Sequence, residues 1–124
     1  DETTMAKILI VDDSPTEMHI LKSVVEAAGH SVVTAENGES GVETATREMP
    51  DLILMDVVMP GMNGFQATRK ISKTPETANI PIVMVTTKDQ RTDKEWGLRQ
   101  GATAYLVKPV EKKALLDKIS ELIG

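Results

Sequence analysis

The chain has no cysteine and only one phenylalanine, one tryptophan and one tyrosine in 124 residues. Without cysteine there can be no disulfide framework and no thiolate metal or redox centre, which agrees with a reducing, cytoplasmic setting. Positive charge is also short: the formal net charge is -5, which argues against nucleic acid as a direct partner. Long apolar runs are missing too. Unbroken stretches such as Ile82–Val85 are far too short to cross a bilayer or form a signal-peptide core, so no membrane insertion is expected. What is present is the balance of an ordinary globule, 40% hydrophobic and 27% charged, at a length that suits one domain. Residues 1–4 precede Met5 and the first apolar pattern, and they read as a ragged start outside a domain covering 5–124.

Three runs, Lys7–Asp12, Asp51–Asp56 and Ile80–Thr86, are apolar on successive residues rather than alternate ones. That is the pattern of strands covered by helices on both faces. Ser31–Ala35 and Ala104–Val107 are weaker strand candidates, suited to sheet edges, and Pro81 falls where a missing N–H does least harm. Between these runs the period changes. Ser14-Pro15-Thr16-Glu17 reads as a capping box with proline at the first helical position, followed by Met18, Leu21, Val25 and Ala28, with Gly29 closing the helix. Val42, Ala45 and Met49 mark a second helix, Phe65 to Ile71 a third, Leu115, Ile119 and Leu122 a fifth. The fourth, Gln90 to Gln100, offers Trp96 and Leu98 as its large apolar anchors with Gly97 between them, so it should dock weakly and move most easily. Strand and helix alternate five times. The expected fold is therefore α/β: a doubly wound five-stranded parallel sheet with right-handed crossovers, (βα)₅.

In such sheets ligands bind at the carboxyl ends of the strands, near the reversal of strand order. The first run ends in Asp12 and Asp13, the third in Asp56, the fourth in Thr86 and Thr87, and the fifth in Lys108. With strand order 2-1-3-4-5, the first and third strands are neighbours roughly 4.8 Å apart, and their carboxylates meet. Three carboxylates that close cannot all stay ionised without a cation or protons, and an all-oxygen set with room for water favours Mg²⁺. Lys108 adds a mobile point charge and Thr86 a hydroxyl donor, both suited to a phosphoryl group. Asp56, exposed at the rim before the glycine-containing loop Val57–Gly64, is the candidate nucleophile, since a carboxylate attacking phosphorus forms an acyl phosphate.

Each of these residues has a plain reading by itself. Asp12-Asp13 could be a solvated strand end with a helix cap, Asp56 a loop starter, Thr86 a β-former, Lys108 a surface lysine. Trp96 and Tyr105 could be ordinary packing anchors. His19 and His30 lack a second ligand, the methionines Met55, Met59, Met62 and Met84 read as packing, and Gly61-x-x-Gly64 lacks the features of a nucleotide loop. The combination decides for the functional reading.

Asp12-Asp13, Asp56, Thr86 and Lys108-Pro109 on a (βα)₅ pattern resemble the receiver domain of two-component response regulators, a CheY-like, flavodoxin-like fold, over Met5 to Gly124. The resemblance implies that Asp56 takes a phosphoryl group from the phosphohistidine of a histidine kinase. It implies Mg²⁺ held by Asp13, Asp56 and the backbone carbonyl of Val58, with Asp12 acting largely through water. It implies a paired inward shift of Thr86 and Tyr105, remodelling the face of the fourth helix, fifth strand and fifth helix for a downstream protein partner, and a cis Lys108–Pro109 bond. The segments SPTEM, NGFQATR, VTTKDQ, WGLRQGA and YLVKPV are further similar to small stand-alone regulators of type IV pilus twitching motility. Two departures stand out: Thr87 where the family often has alanine or glycine, and Val58 and Lys88 at positions that tune hydrolysis. With no residues left for an effector domain, output is expected through protein contact, or through draining phosphoryl groups from a shared kinase. A Mg²⁺-dependent aspartyl phosphatase would need a carboxylate where Val58 stands, and a flavodoxin-like cofactor carrier a neutral phosphate loop where Asp12-Asp13 stand.

Overall fold

The structure, a computed structural model, describes residues 5–123. The expectation for residues 1–4 lies outside the described residues. Five strands and five helices alternate: β1 Lys7–Val11, α1 Pro15–Ala27, β2 Ser31–Ala35, α2 Gly38–Glu48, β3 Leu52–Met55, α3 Gly64–Lys73, β4 Ile82–Thr86, α4 Arg91–Gln100, β5 Ala104–Val107 and α5 Lys112–Ile123. The strands form one parallel sheet in the order β2-β1-β3-β4-β5.

The unbroken apolar strands are explained by two cores, one on each face of the sheet. Leu9, Val11, Ile53, Met55, Ile82 and Met84 point to one side and pack with Ala45 of α2 and Ala67 and Ile71 of α3. Ile8, Ile10, Leu52, Leu54, Val83 and Val85 point to the other and pack with Leu21 and Val25 of α1 and Leu115 and Ile119 of α5. Successive strand residues face opposite ways, so both sets must be apolar. Each such side chain is worth about 1.5–3 kcal/mol of transfer free energy.

The strands are shorter than their apolar runs. Asp12 and Asp56 lie one residue past β1 and β3, and Pro81 one residue before β4, where its carbonyl accepts from Ile53 N at 3.0 Å. Three other expectations are corrected. Trp96 and Leu98 are not anchors: they are 50% and 51% exposed, and α4 docks through Gly97 and Gln100 instead. A Cβ at Gly97 would sit 2.8 Å from Met84 Sδ and 3.2 Å from the Tyr105 ring, so the helix approaches closer than a side chain would allow. Met49 is the C-cap of α2, at φ 47, and half exposed rather than core. The capping box at α1 is half formed. Ser14 Oγ accepts from Glu17 N at 3.2 Å, but Ser14 N donates to Asp12 Oδ1 at 2.9 Å, so the Glu17 carboxylate has no cap amide to return to.

Candidate functional site

The carboxyl ends of β1, β3, β4 and β5 meet around one cleft. Parallel register sets the depth of the two central strands, since Val11 pairs with Met55 and Asp12 and Asp56 follow them directly. Asp56 N donates to Val11 O at 3.0 Å, continuing the ladder by one step, and Asp12 N donates to Ala35 O at 3.1 Å. Both aspartates are therefore held by backbone bonds before their side chains do anything. The start of α3 presses on the same point. A Cβ at Gly64 would overlap the Asp56 carbonyl oxygen, and Gly64 N donates to Val57 O at 2.9 Å.

Asp12, Asp13 and Asp56 each offer a carboxylate oxygen, and these oxygens lie within 4.8 Å of one another. Asp12 is 2% and Asp56 7% exposed, so Asp56 is buried in the cleft rather than exposed at the rim as expected, whereas Asp13 is exposed to solvent. Asp56 Oδ1 accepts from Val57 N at 2.7 Å. From the residue just past β5, Lys108 Nζ donates to Asp12 Oδ2, 96 positions away in the chain, at 2.8 Å and stands 3.7 Å from Asp56 Oδ2. Burial raises the Asp56 pKa above the ordinary carboxylate range and the charge of Asp12 adds to this, while Lys108 opposes it. Burial also works against the charge on Lys108, but the hydrogen bond to Asp12 and the charges of Asp56, Asp12 and Glu17 outweigh it and raise its pKa.

The donor set fits a small hard cation. It consists of oxygen alone, one carboxylate of the three is open to solvent, and the mutual spacing suits a single ion that keeps some of its water. Val58 follows in the loop from β3 to α3, its side chain 57% exposed and forming a shallow groove with Met59, Phe65 and Lys88.

Thr86 closes β4 and is fully buried; its Oγ1 accepts from Lys88 N at 3.3 Å, and its carbonyl accepts from Lys108 N at 2.8 Å. Lys108 and Thr86 are thus joined through the backbone. The Lys108–Pro109 bond is cis. Tyr105 is placed differently from the carboxylates. Its ring lies against Gly97 of α4 and its hydroxyl donates to Lys88 O at 2.7 Å, on the loop between β4 and α4.

Of the residues singled out in the sequence, Asp12, Asp13, Asp56 and Lys108 converge, Thr86 borders them, and Tyr105 and Val58 flank them on the α4 side and the loop side. His30 Nδ1 accepts from Ala6 N at 3.2 Å, a structural use, and His19 lines a cleft with Asp13, Lys22 and Glu36. Sequence reasoning missed Glu17 as a neighbour of Lys108 at the rim of the cleft. Its Oε1 lies 3.7 Å from Lys108 Nζ. The signal was in the chain, because Ser14 sits two residues after Asp12, the offset at which an aspartate takes a backbone N–H for itself.

Comparison with known proteins agrees with this geometry. The model of the response regulator receiver domain matches residues 8–120. A relative named Protein PilH, from Pseudomonas aeruginosa, is 59% identical over 97% of this chain and 99% of its own length. Among solved structures, chemotaxis protein CheY4 from Vibrio cholerae superposes with a TM-score of 0.90 at 34% identity, covering 96% of this chain and 99% of its own. The receiver domain of a sensor histidine kinase from Pseudomonas aeruginosa, with a magnesium ion coordinated in its active-site cleft, gives a TM-score of 0.90 at 30% identity over 98% of this chain and 99% of its own. With five parallel strands in the order 2-1-3-4-5 and an acidic cleft at their carboxyl ends, the chain belongs to the family of response regulator receiver domains.

Proposed function

We propose that this protein is a phosphorylation switch in which Asp56 accepts a phosphoryl group from the phosphohistidine of a histidine kinase. The observation that carries this reading is the convergence of Asp56 with Asp12 and Asp13 on one side and Lys108 on the other. Asp56 Oδ2 is the oxygen nearest the ammonium; the other oxygen is tied to Val57 N. An oxygen of the Asp56 carboxylate forms the new bond to phosphorus, and the bond from phosphorus to the donor nitrogen breaks, giving an acyl phosphate. Lys108, held beside Asp12 in a nearly dry pocket, supplies positive charge to the phosphoryl oxygens, and the Thr86 hydroxyl is the donor on the β4 side. Asp12, Asp13, Asp56 and the backbone carbonyl of Val58 would hold Mg²⁺, with Asp12 acting largely through water; the ion supplies charge neutralisation at the phosphoryl group.

The readout assigned to this event runs through Thr86, Tyr105 and α4 to the face formed by α4, β5 and α5, where a downstream protein binds. The likeness of several segments to twitching-motility regulators supports a place in type IV pilus signalling in the cytoplasm. No helix among the described residues is long and apolar enough to cross a membrane. The test is intact-mass spectrometry after treatment with acetyl phosphate. One labile phosphoryl adduct is expected with Mg²⁺ and none with chelator or in Asp56→Asn; an adduct of equal lability in that variant overturns the assignment.

A further inference from the structure

The carboxylate of Glu17 stands at the mouth of the cleft, 38% exposed, 3.7 Å from Lys108 Nζ. Its position is built rather than accidental. Pro15 and the Ser14 cap fix the first turn of α1, and Ser14 Oγ takes the Glu17 amide. The cap amide that a glutamate at this position would ordinarily bind is already spent on Asp12 Oδ1. The side chain is thereby turned out of its capping role and across to the lysine, in the groove it shares with Ile20, Thr87 and Pro109.

Lys108 consequently answers to three acids, Asp12, Asp56 and Glu17. Asp12 and Asp56 are buried members of the acidic cluster; Glu17 alone of the three is partly open to solvent and lies outside that cluster. Resting on the reading of Asp56 as phosphoacceptor, we propose that Glu17 is a positioning residue that competes with the incoming phosphoryl group for Lys108 and disfavours small anionic phosphodonors. A donor dianion entering the cleft must draw the ammonium away from Glu17 and pass a fixed negative charge at the rim. A protein donor, whose docking energy comes from other contacts, is much less sensitive to that charge.

Glu17→Gln keeps the shape and removes the charge. With acetyl phosphate as donor, at saturating Mg²⁺ and low ionic strength, the half-saturating donor concentration of E17Q falls roughly two- to fivefold, the scale of a partly exposed ion pair. The saturating rate and the Mg²⁺ affinity measured by calorimetry stay as in the wild type, and the difference closes at high salt. An E17Q curve that coincides with the wild type, or a change confined to the saturating rate or to Mg²⁺ affinity, overturns the inference. A wild-type protein that takes no label on Asp56 overturns the proposed function and this inference with it, and that outcome is visible in the control alone.

Discussion

The hydroxyl of Tyr105 donates a 2.7 Å hydrogen bond to the carbonyl oxygen of Lys88, tying the edge strand to the loop that leads into α4. Burial pushes the phenol up to about 12, and the charges of Asp93, Asp56 and Asp89 add to it. Because the chain has a single tyrosine, phenolate absorbance reports this group alone. A spectrophotometric titration should give a midpoint well above the ordinary value near 10. The sign for stability follows: the contribution is fully present below the unfolded pKa near 10 and is lost as pH rises through about 12. A midpoint at the free-tyrosine value would contradict the burial of the phenol.

Asp13 is the exposed member of the acidic cluster and adds negative charge beside two buried carboxylates. Asp13→Asn should raise metal-free stability by about 0.5–1 kcal/mol through relief of like-charge repulsion. The same variant should lose most of the rise in Tm that Mg²⁺ gives the wild type at a concentration c below the variant's weakened Kd, because a bound ion stabilises by about RT ln(1 + c/Kd). Thermal unfolding with and without Mg²⁺ measures both effects, and a variant that keeps the full ion-dependent gain would remove Asp13 from the site.

Lys108 and Asp12 form a pair in which both side chains are nearly dry, at 10% and 1% exposure. Lys108→Met leaves a buried carboxylate without its partner, a change that costs about 3–5 kcal/mol. Added Mg²⁺ should recover part of that loss by restoring positive charge to the cluster. Urea denaturation of the variant in chelator and in Mg²⁺ gives the two values to compare.

Gly97 sets a conflict between local propensity and packing. Alanine is about 1 kcal/mol better than glycine inside a helix. Here its methyl would meet Met84 Sδ at 2.8 Å and the Tyr105 ring at 3.2 and 3.3 Å. Overpacking of that kind costs about 1–3 kcal/mol, so Gly97→Ala should destabilise the protein by up to about 2 kcal/mol. It should also bring the Tyr105 titration back towards 10, as α4 is pushed off the ring. A more stable variant would show that α4 yields freely.

The five strands and five helices were legible because apolar runs and helical periods change over sharply along this chain; the strand order came with the family resemblance, and strand-end chemistry survives a one-residue error in strand length. The convergence of Asp12, Asp56 and Lys108 could be read for that reason. The docking of α4 could not. Trp96 and Leu98 carry the hydrophobicity of that helix yet face solvent, while the contact is made by a residue with no side chain, which periodicity counts as a gap. Glu17 was hidden by a local rule that is usually right. The capping box assigns its carboxylate to the helix start, and only the prior claim of Asp12 on the Ser14 amide, a tertiary consequence of where β1 ends, redirects it.

The bond between Lys108 and Asp12 joins positions 96 residues apart, one just past β1 and the other just past β5. A chain cut short before position 108 would therefore carry its acidic cluster with no lysine to neutralise it. Such a fragment would also lose Leu115 and Ile119 of α5 from one of the two cores, and without that packing it should not assume the finished cleft. Competence at the centre is in this sense a proof of length, signed by the final strand.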